Sequence, residues 1–162
     1  MPRKDRRVLS FDPGFERLGA AVVEQKSGKD TLVHSECVRT KATLDFPDRL
    51  ALLGDAVERL LHEYEPDAVA LEEVFFERNV STAIQIGSVM GVITYLARQH
   101  GLPIYQYTPL EVKVATTGYG KSDKRAVAAM VGRLVVLPAK KRLDDELDAI
   151  AVGLTCLASE RA

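Results

Sequence analysis

The residues of this chain that could do chemistry are acids at the ends of apolar segments. Asp12 follows Val8-Leu9-Ser10-Phe11 and precedes Pro13-Gly14, so a buried strand stops at a carboxylate. A second apolar segment, Ala68-Val69-Ala70-Leu71, runs into Glu72 and Glu73, and a late helix opens with Asp144, Asp145 and Asp148. Asp before Pro-Gly is by itself a common turn starter, and a helix dipole accounts for Asp144 and Asp145 in a first turn. Asp148 needs more, because it lies deeper in the helix beside Leu147 and Ala151. Its neighbours at three and four residues, Asp145 and Asp144, each repel it by roughly 0.2 to 0.5 kcal/mol. A compensating cation predicts an oxygen-only site with Asp12 and Glu72, of the kind that suits Mg2+ or Mn2+ rather than zinc. Helical geometry alone favours Asp144 as the acid that joins it. Carboxylates that hold two metal ions about 4 Å apart can direct in-line attack of water on a phosphodiester. No Cys or His is placed to help, and His34, His62 and His100 read as peripheral surface histidines.

The elements that must position these acids follow from pattern and punctuation. The strand ending at Asp12 is followed by strands over 17–24 and 31–39 across a Ser27-Gly28 turn, which predicts an antiparallel meander. Gly19, with Ala20 and Ala21, predicts a close backbone neighbour for the second strand. A helix begins after Asp45 with Pro47 in its first turn, carries Leu50, Leu53, Val57, Leu60 and Leu61 at helical spacing, and stops at Glu65-Pro66. The segment 68–73 is reached through that helix, so it should run parallel to the first strand and bring its acids to the same sheet edge. A second helix over 81–100 contains Gly87 and Gly91, which lower its propensity by roughly 1 kcal/mol each and imply close approach by another element or subunit. A fifth strand over 102–107 leads to Thr108-Pro109-Leu110-Glu111, which has the form of a capping box. A short helix then enters the loop 117–121, expected to be mobile, and Ser122 is the expected cap of a helix over 123–134. The last helix should bury Leu143, Leu147, Ile150, Ala151 and Leu154 as a stripe.

Composition sets outer bounds. With 46% apolar and 28% charged residues among 162, the chain reads as one ordinary globular domain over 1–162, with a basic, flexible tail over 1–6. Cys37 and Cys156 read as buried free thiols. The longest apolar run, 149–158, is too short to span a bilayer, and no apolar signal core follows the basic amino end, so a cytoplasmic protein without membrane contact is expected. The net charge of −1 hides a basic block: from 108 to 142 there are eight Lys or Arg against two acids. Such a block suits a phosphate backbone, although a solvated face has the same composition.

In its order of segments, and in Asp12-Pro13-Gly14, Ala70-Leu71-Glu72-Glu73-Val74-Phe75-Phe76 and Asp145-Glu146-Leu147-Asp148-Ala149, the chain resembles the RuvC family of Holliday-junction resolvases. The stretches 79–91, Val112-Lys113 and 118–124 are similar to that family as well. The resemblance implies a ribonuclease H-like α/β fold, a mixed five-stranded sheet with three antiparallel strands, then parallel ones, and helices on both faces. It implies Asp12, Glu72, Asp145 and Asp148 as catalytic metal ligands for two Mg2+, with Mn2+ as a substitute. It also implies Lys113, Lys121 and Lys124 as DNA contacts and Phe75 as a base-stacking aromatic. The implied activity is paired nicking of four-way DNA junctions in recombination and repair, leaving 5′-phosphate and 3′-hydroxyl ends, by a homodimer that works with a branch-migration helicase complex. Differences from the family pattern include Ser10-Phe11 before the aspartate, Glu73 after Glu72, Ala126 where glutamine is common, and Ser88-Val89-Met90 between the helix glycines. Other readings are a ribonuclease H-like nuclease that trims ribosomal RNA precursors and a junction-binding protein that does not cut. An actin-like nucleotide-binding fragment would need a second phosphate loop, which the sequence lacks.

Overall fold

The fold is seen in a computed structural model that describes residues 5–74 and 79–160. Strands β1 (Arg6–Asp12), β2 (Arg17–Lys26) and β3 (Lys29–Arg39) form the expected antiparallel meander. Helix α1 (Phe46–Tyr64) ends where Glu65 takes a left-handed φ of 43° and its N–H bonds back to Leu61, just before Pro66. The chain has by then returned to the start of the sheet, so β4 (Ala68–Glu72) lies parallel to β1, with Phe11 opposite Leu71. Helix α2 (Val80–Gln99) leads to β5 (Ile104–Tyr107), parallel to β4. Helices α3 (Pro109–Thr117), α4 (Lys124–Leu134) and α5 (Asp144–Ser159) follow. The sheet order is β3-β2-β1-β4-β5, the mixed five-stranded sheet expected from the sequence.

Strand alternation gives the sheet two apolar faces. Leu9, Phe11, Val69 and Leu71 pack with Leu53, Val57, Leu60 and Ile93 of α1 and α2. Val8, Ala68, Ala70 and Val23 face the other way, against α5 and the α3–α4 pair. The two helical layers thus lie on opposite faces of one sheet.

Several expectations need correction. Helix α5 has no single buried stripe: every residue from Ala149 to Leu157 is buried, because it lies between the sheet and α3–α4, while Leu143 and Leu147 are only half-buried. The cap of α4 is Asp123, whose carboxylate accepts from the Ala126 N–H at 2.8 Å. Ser122 instead donates back to the Tyr119 carbonyl and meets the Thr117 hydroxyl, stitching the 117–122 loop. Cys37 is half-exposed rather than buried. Strand β1 already includes Arg6, whose guanidinium bonds the Glu160 carbonyl and sits over the Tyr105 ring, so the expected tail does not reach residue 6.

The apolar-run expectation also fails, since α2 is long and apolar enough by length and composition to cross a membrane. Its hydroxyl residues, Ser81, Thr82, Ser88 and Thr94, are spread among apolar ones, and most of the helix is not buried. Val89, Ile93 and Ala97 face the core. A Cβ built at Gly87 or Gly91 would meet none of the described residues within 4 Å.

Candidate active site

Strand parity brings the first two acids together. Asp12 shares a face with Val8 and Ser10, and Glu72 shares one with Ala68 and Ala70; both point to the side occupied by α5. The register that pairs Phe11 with Leu71 puts the two acids next in line at the carboxyl ends of adjacent parallel strands.

The amino end of α5 is brought to the same edge by close backbone approach. Gly19 pairs with Asp12 across β1–β2, and a Cβ on Gly19 would lie 1.9 Å from the Asp145 carbonyl oxygen. One turn on, the Ser10 hydroxyl donates to the Ala149 carbonyl at 2.7 Å, and Gly153 leaves room for it. Gly19, Ser10 and Gly153 therefore set the height of Asp145 and Asp148 over the sheet. The sequence signalled Gly19; Ser10 read only as a departure, since its partner is 139 residues away.

The acids crowd one another. Burial, then the charges of Glu72, Asp148 and Asp145, push the Asp12 carboxyl up to about 8. Burial, then the charge of Asp148, raises Glu72 as well, and its contact with Asp12 opposes the rise. Burial raises Asp148 too, and Lys124 opposes the rise from 3.5 Å. Asp145 turns its Oδ2 to within 3.2 Å of Arg17 Nε, but the pair is not aligned for a hydrogen bond and this buried oxygen has no such partner. Asp144 is exposed, whereas Asp145 is half-buried and acts on Asp12. A buried carboxylate oxygen without a hydrogen-bond donor and the mutual repulsion that raises Asp12 are what a divalent cation would relieve, and an all-carboxylate donor set suits a hard ion. Arg17, which sequence reasoning did not single out, supplies positive charge at this edge.

The basic residues divide. Lys113 and Lys124 both lie close enough to lower Glu72. Lys121 is exposed in the α3–α4 connection. Lys140 pairs with buried Glu146 at 3.0 Å, and Arg142 reaches Ser35 and the Pro138 carbonyl, so part of the basic block serves the fold. Phe75 lies outside the described residues. Among those described, the one trio of side chains with ligand atoms all within 4.8 Å is not at this edge: it is Glu58, His62 and His100. His62 is the peripheral surface histidine expected, at 71% exposed, and His100 is more enclosed; the two meet because α1 and α2 run side by side and their ends converge.

With this geometry in hand, comparison with known proteins is decisive. The family described as Crossover junction endodeoxyribonuclease RuvC matches residues 8–156. The chain belongs to the RuvC family. The crossover junction endodeoxyribonuclease RuvC of Roseiflexus sp. (strain RS-1) is 43% identical over 148 residues, which are 91% of this chain and 88% of that protein. The structure of T. thermophilus RuvC in complex with a Holliday junction substrate is 35% identical, with a TM-score of 0.88 over 94% of this chain and 93% of that one. The yeast mitochondrial Holliday junction resolvase Ydc2, 14% identical with a TM-score of 0.68 over 91% of this chain and 76% of that one, shares the fold. The chain is thus a hydrolase of the RuvC family with a ribonuclease H-like fold, a metal-dependent nuclease of recombination and repair.

Proposed function

We propose that the chain, as one nuclease domain over 1–162, resolves four-way DNA junctions through Asp12, Glu72, Asp145 and Asp148, which would hold two Mg2+, with Mn2+ as a substitute. The observation that carries this is the convergence of the four carboxylates at one sheet edge, with Asp12 raised to about 8 and the buried Asp145 Oδ2 without a hydrogen-bond donor. Bound there, Mg2+ would activate a water for attack on the phosphodiester and stabilise the leaving 3′ oxygen. The chain's own residues do the rest. Asp12 gives up its proton when a cation arrives, and Ser10 and Gly19 hold Asp145 and Asp148 against the sheet. Lys113 and Lys124 flank Glu72 and take backbone phosphates, Lys121 extends that contact, and Phe75 offers a face on which an unpaired base can stack.

The working unit in this reading is a homodimer in the cytoplasm, handed its junction by a branch-migration helicase complex. A junction has two related scissile phosphodiesters, and one acidic cluster addresses one at a time. The exposed face of α2 supports a second copy there: Ile84 and Tyr95 are 62% and 63% exposed, the small Gly87 and Gly91 lie between them, and a groove of about 670 Å3 runs between α1 and α2.

Incubation with a synthetic four-way junction tests the reading. Paired nicks with 5′-phosphate and 3′-hydroxyl ends are expected in Mg2+ and none in EDTA. Junction binding without nicks in Mg2+ would overturn it.

A further inference from the structure

At the edge of the sheet opposite the acids, Glu58, His62 and His100 converge. Glu58 and His62 are one turn apart on α1, and His100 is the C-cap of α2. Both imidazole Nε2 atoms point at Glu58 Oε1, from 2.9 Å for His62 and 3.0 Å for His100, and His100 is also 3.1 Å from Oε2. The two rings meet edge to face with centroids 5.0 Å apart. This end of the structure holds the amino ends of β4 and β5, so it is about a strand's length, roughly 20 Å, from Asp12.

We propose that Glu58, His62 and His100 form a second metal site, which takes a divalent first-row transition ion of the zinc class and ties the carboxyl-terminal half of α1 to the end of α2. Two imidazoles and a carboxylate suit such ions, whereas Mg2+ prefers oxygen alone, so the two sites of the chain select different ions. The geometry is close to what is needed. Bonds of about 2.0 to 2.1 Å in a tetrahedral site put ligand atoms about 3.3 to 3.4 Å apart. The present nitrogen-to-oxygen separations therefore need to open by only a few tenths of an ångström. His62 is 71% exposed and free to make that adjustment, while His100 and Glu58 are more enclosed. Beside the trio lies a hollow of about 200 Å3 lined in part by His62, His100 and Leu102, which leaves space for a water as fourth ligand. To bind, each imidazole presents Nε2 without a proton, the ring's one remaining N–H being at Nδ1, so that the Nε2 lone pair is free for the metal.

Zinc titrated into the full-length protein by calorimetry tests this, with Asp12→Asn used to separate it from the acidic site. The expected result is one zinc per chain that survives Asp12→Asn and weakens at least tenfold in His62→Ala, His100→Gln and Glu58→Gln. A hundredfold excess of zinc over its Kd should raise the melting temperature by about 5 to 10 °C. Cobalt in place of zinc should show the strong visible absorption of a tetrahedral centre, and His62→Ala, a change at an exposed position, should abolish it. Zinc binding that is absent, is unchanged in all three ligand variants, or disappears with Asp12→Asn alone would overturn the proposal.

Discussion

Asp12 keeps its proton near neutral pH because burial and three acidic neighbours make a fourth negative charge costly, and this single property yields two predictions. Asp12→Asn should lower nicking by at least roughly 10²- to 10³-fold, the scale on which one lost charge-stabilising group acts, while junction binding measured by gel shift stays near wild type. The second concerns pH. The folded pKa of Asp12 is raised from 3.8 to about 8, so the folded metal-free protein binds this proton more tightly than the unfolded chain. The stabilisation is complete below about 4 and is lost as pH rises through about 8, and the raised Glu72 and Asp148 add in the same direction. Urea midpoints of metal-free protein should therefore fall between pH 4 and 8, and Asp12→Asn should flatten that fall. Added Mg2+ should restore stability most at the alkaline end, where the proton no longer competes. Among the basic residues, Lys113→Ala and Lys124→Ala should each weaken junction binding and reduce its salt slope by about one unit, the signature of one phosphate contact. Unchanged slopes would assign both lysines to a solvated face.

Helix α5 carries two of the four acids, and its seat on β1 and β2 decides where they point. A methyl group at Gly19 would meet the Asp145 carbonyl oxygen, which is backbone and cannot swing away. Gly19→Ala should cost about 1 to 3 kcal/mol or more in denaturant unfolding, and should lower nicking even where the protein remains folded. Gly153→Ala is different, because its methyl would meet the Ser10 hydroxyl at 2.6 Å and a Val23 methyl at 2.7 Å, both side-chain atoms. It also gains up to about 1 kcal/mol of helix propensity. Ser10→Ala removes one of those obstacles together with the hydrogen bond to Ala149, a loss of about 1 kcal/mol. The pair should therefore be coupled, with Gly153→Ala better tolerated by 0.5 kcal/mol or more in the Ser10→Ala background, an interaction energy of about the usual size for touching residues. Additive effects would show that Ser10 and Gly153 do not share the space between β1 and α5.

At the scale of the whole molecule, the open question is what covers α2. Its inner residues reach the α1–sheet core, but its outer face presents Val80, Ile84 and Tyr95 to solvent, beside two glycines at which an added Cβ would meet none of the described residues within 4 Å. Sedimentation at micromolar concentration should report a mass near twice 17.8 kDa. Gly87→Arg adds bulk and charge where a partner helix would approach and disturbs no contact of the monomer, so it should give a folded monomer that uncouples the paired cuts. A wild-type monomer that makes both nicks in one binding event would refute the dimer.

The sequence by itself determined the strand and helix order, the parallel placement of β1 and β4, and hence the meeting of Asp12 and Glu72 at one edge. These follow from local punctuation by Pro and Gly, from hydrophobic period, and from the rule that a helical crossover returns the chain to start a parallel strand. Gly19 was legible as a site of close approach, and Thr108 with Glu111 as a capping box, because both signals lie within a few residues. Contacts between segments far apart were decided only by the tertiary structure. Helical geometry alone favours Asp144 beside Asp148; the packing of α5 on Gly19 instead leaves Asp144 in solvent and Asp145 half-buried, near enough to act on Asp12. The same holds for Lys140, which read as part of a basic block until it met Glu146, and for His62 and His100. They are 38 positions apart in the chain, and only the side-by-side packing of α1 and α2 brings both imidazoles to Glu58.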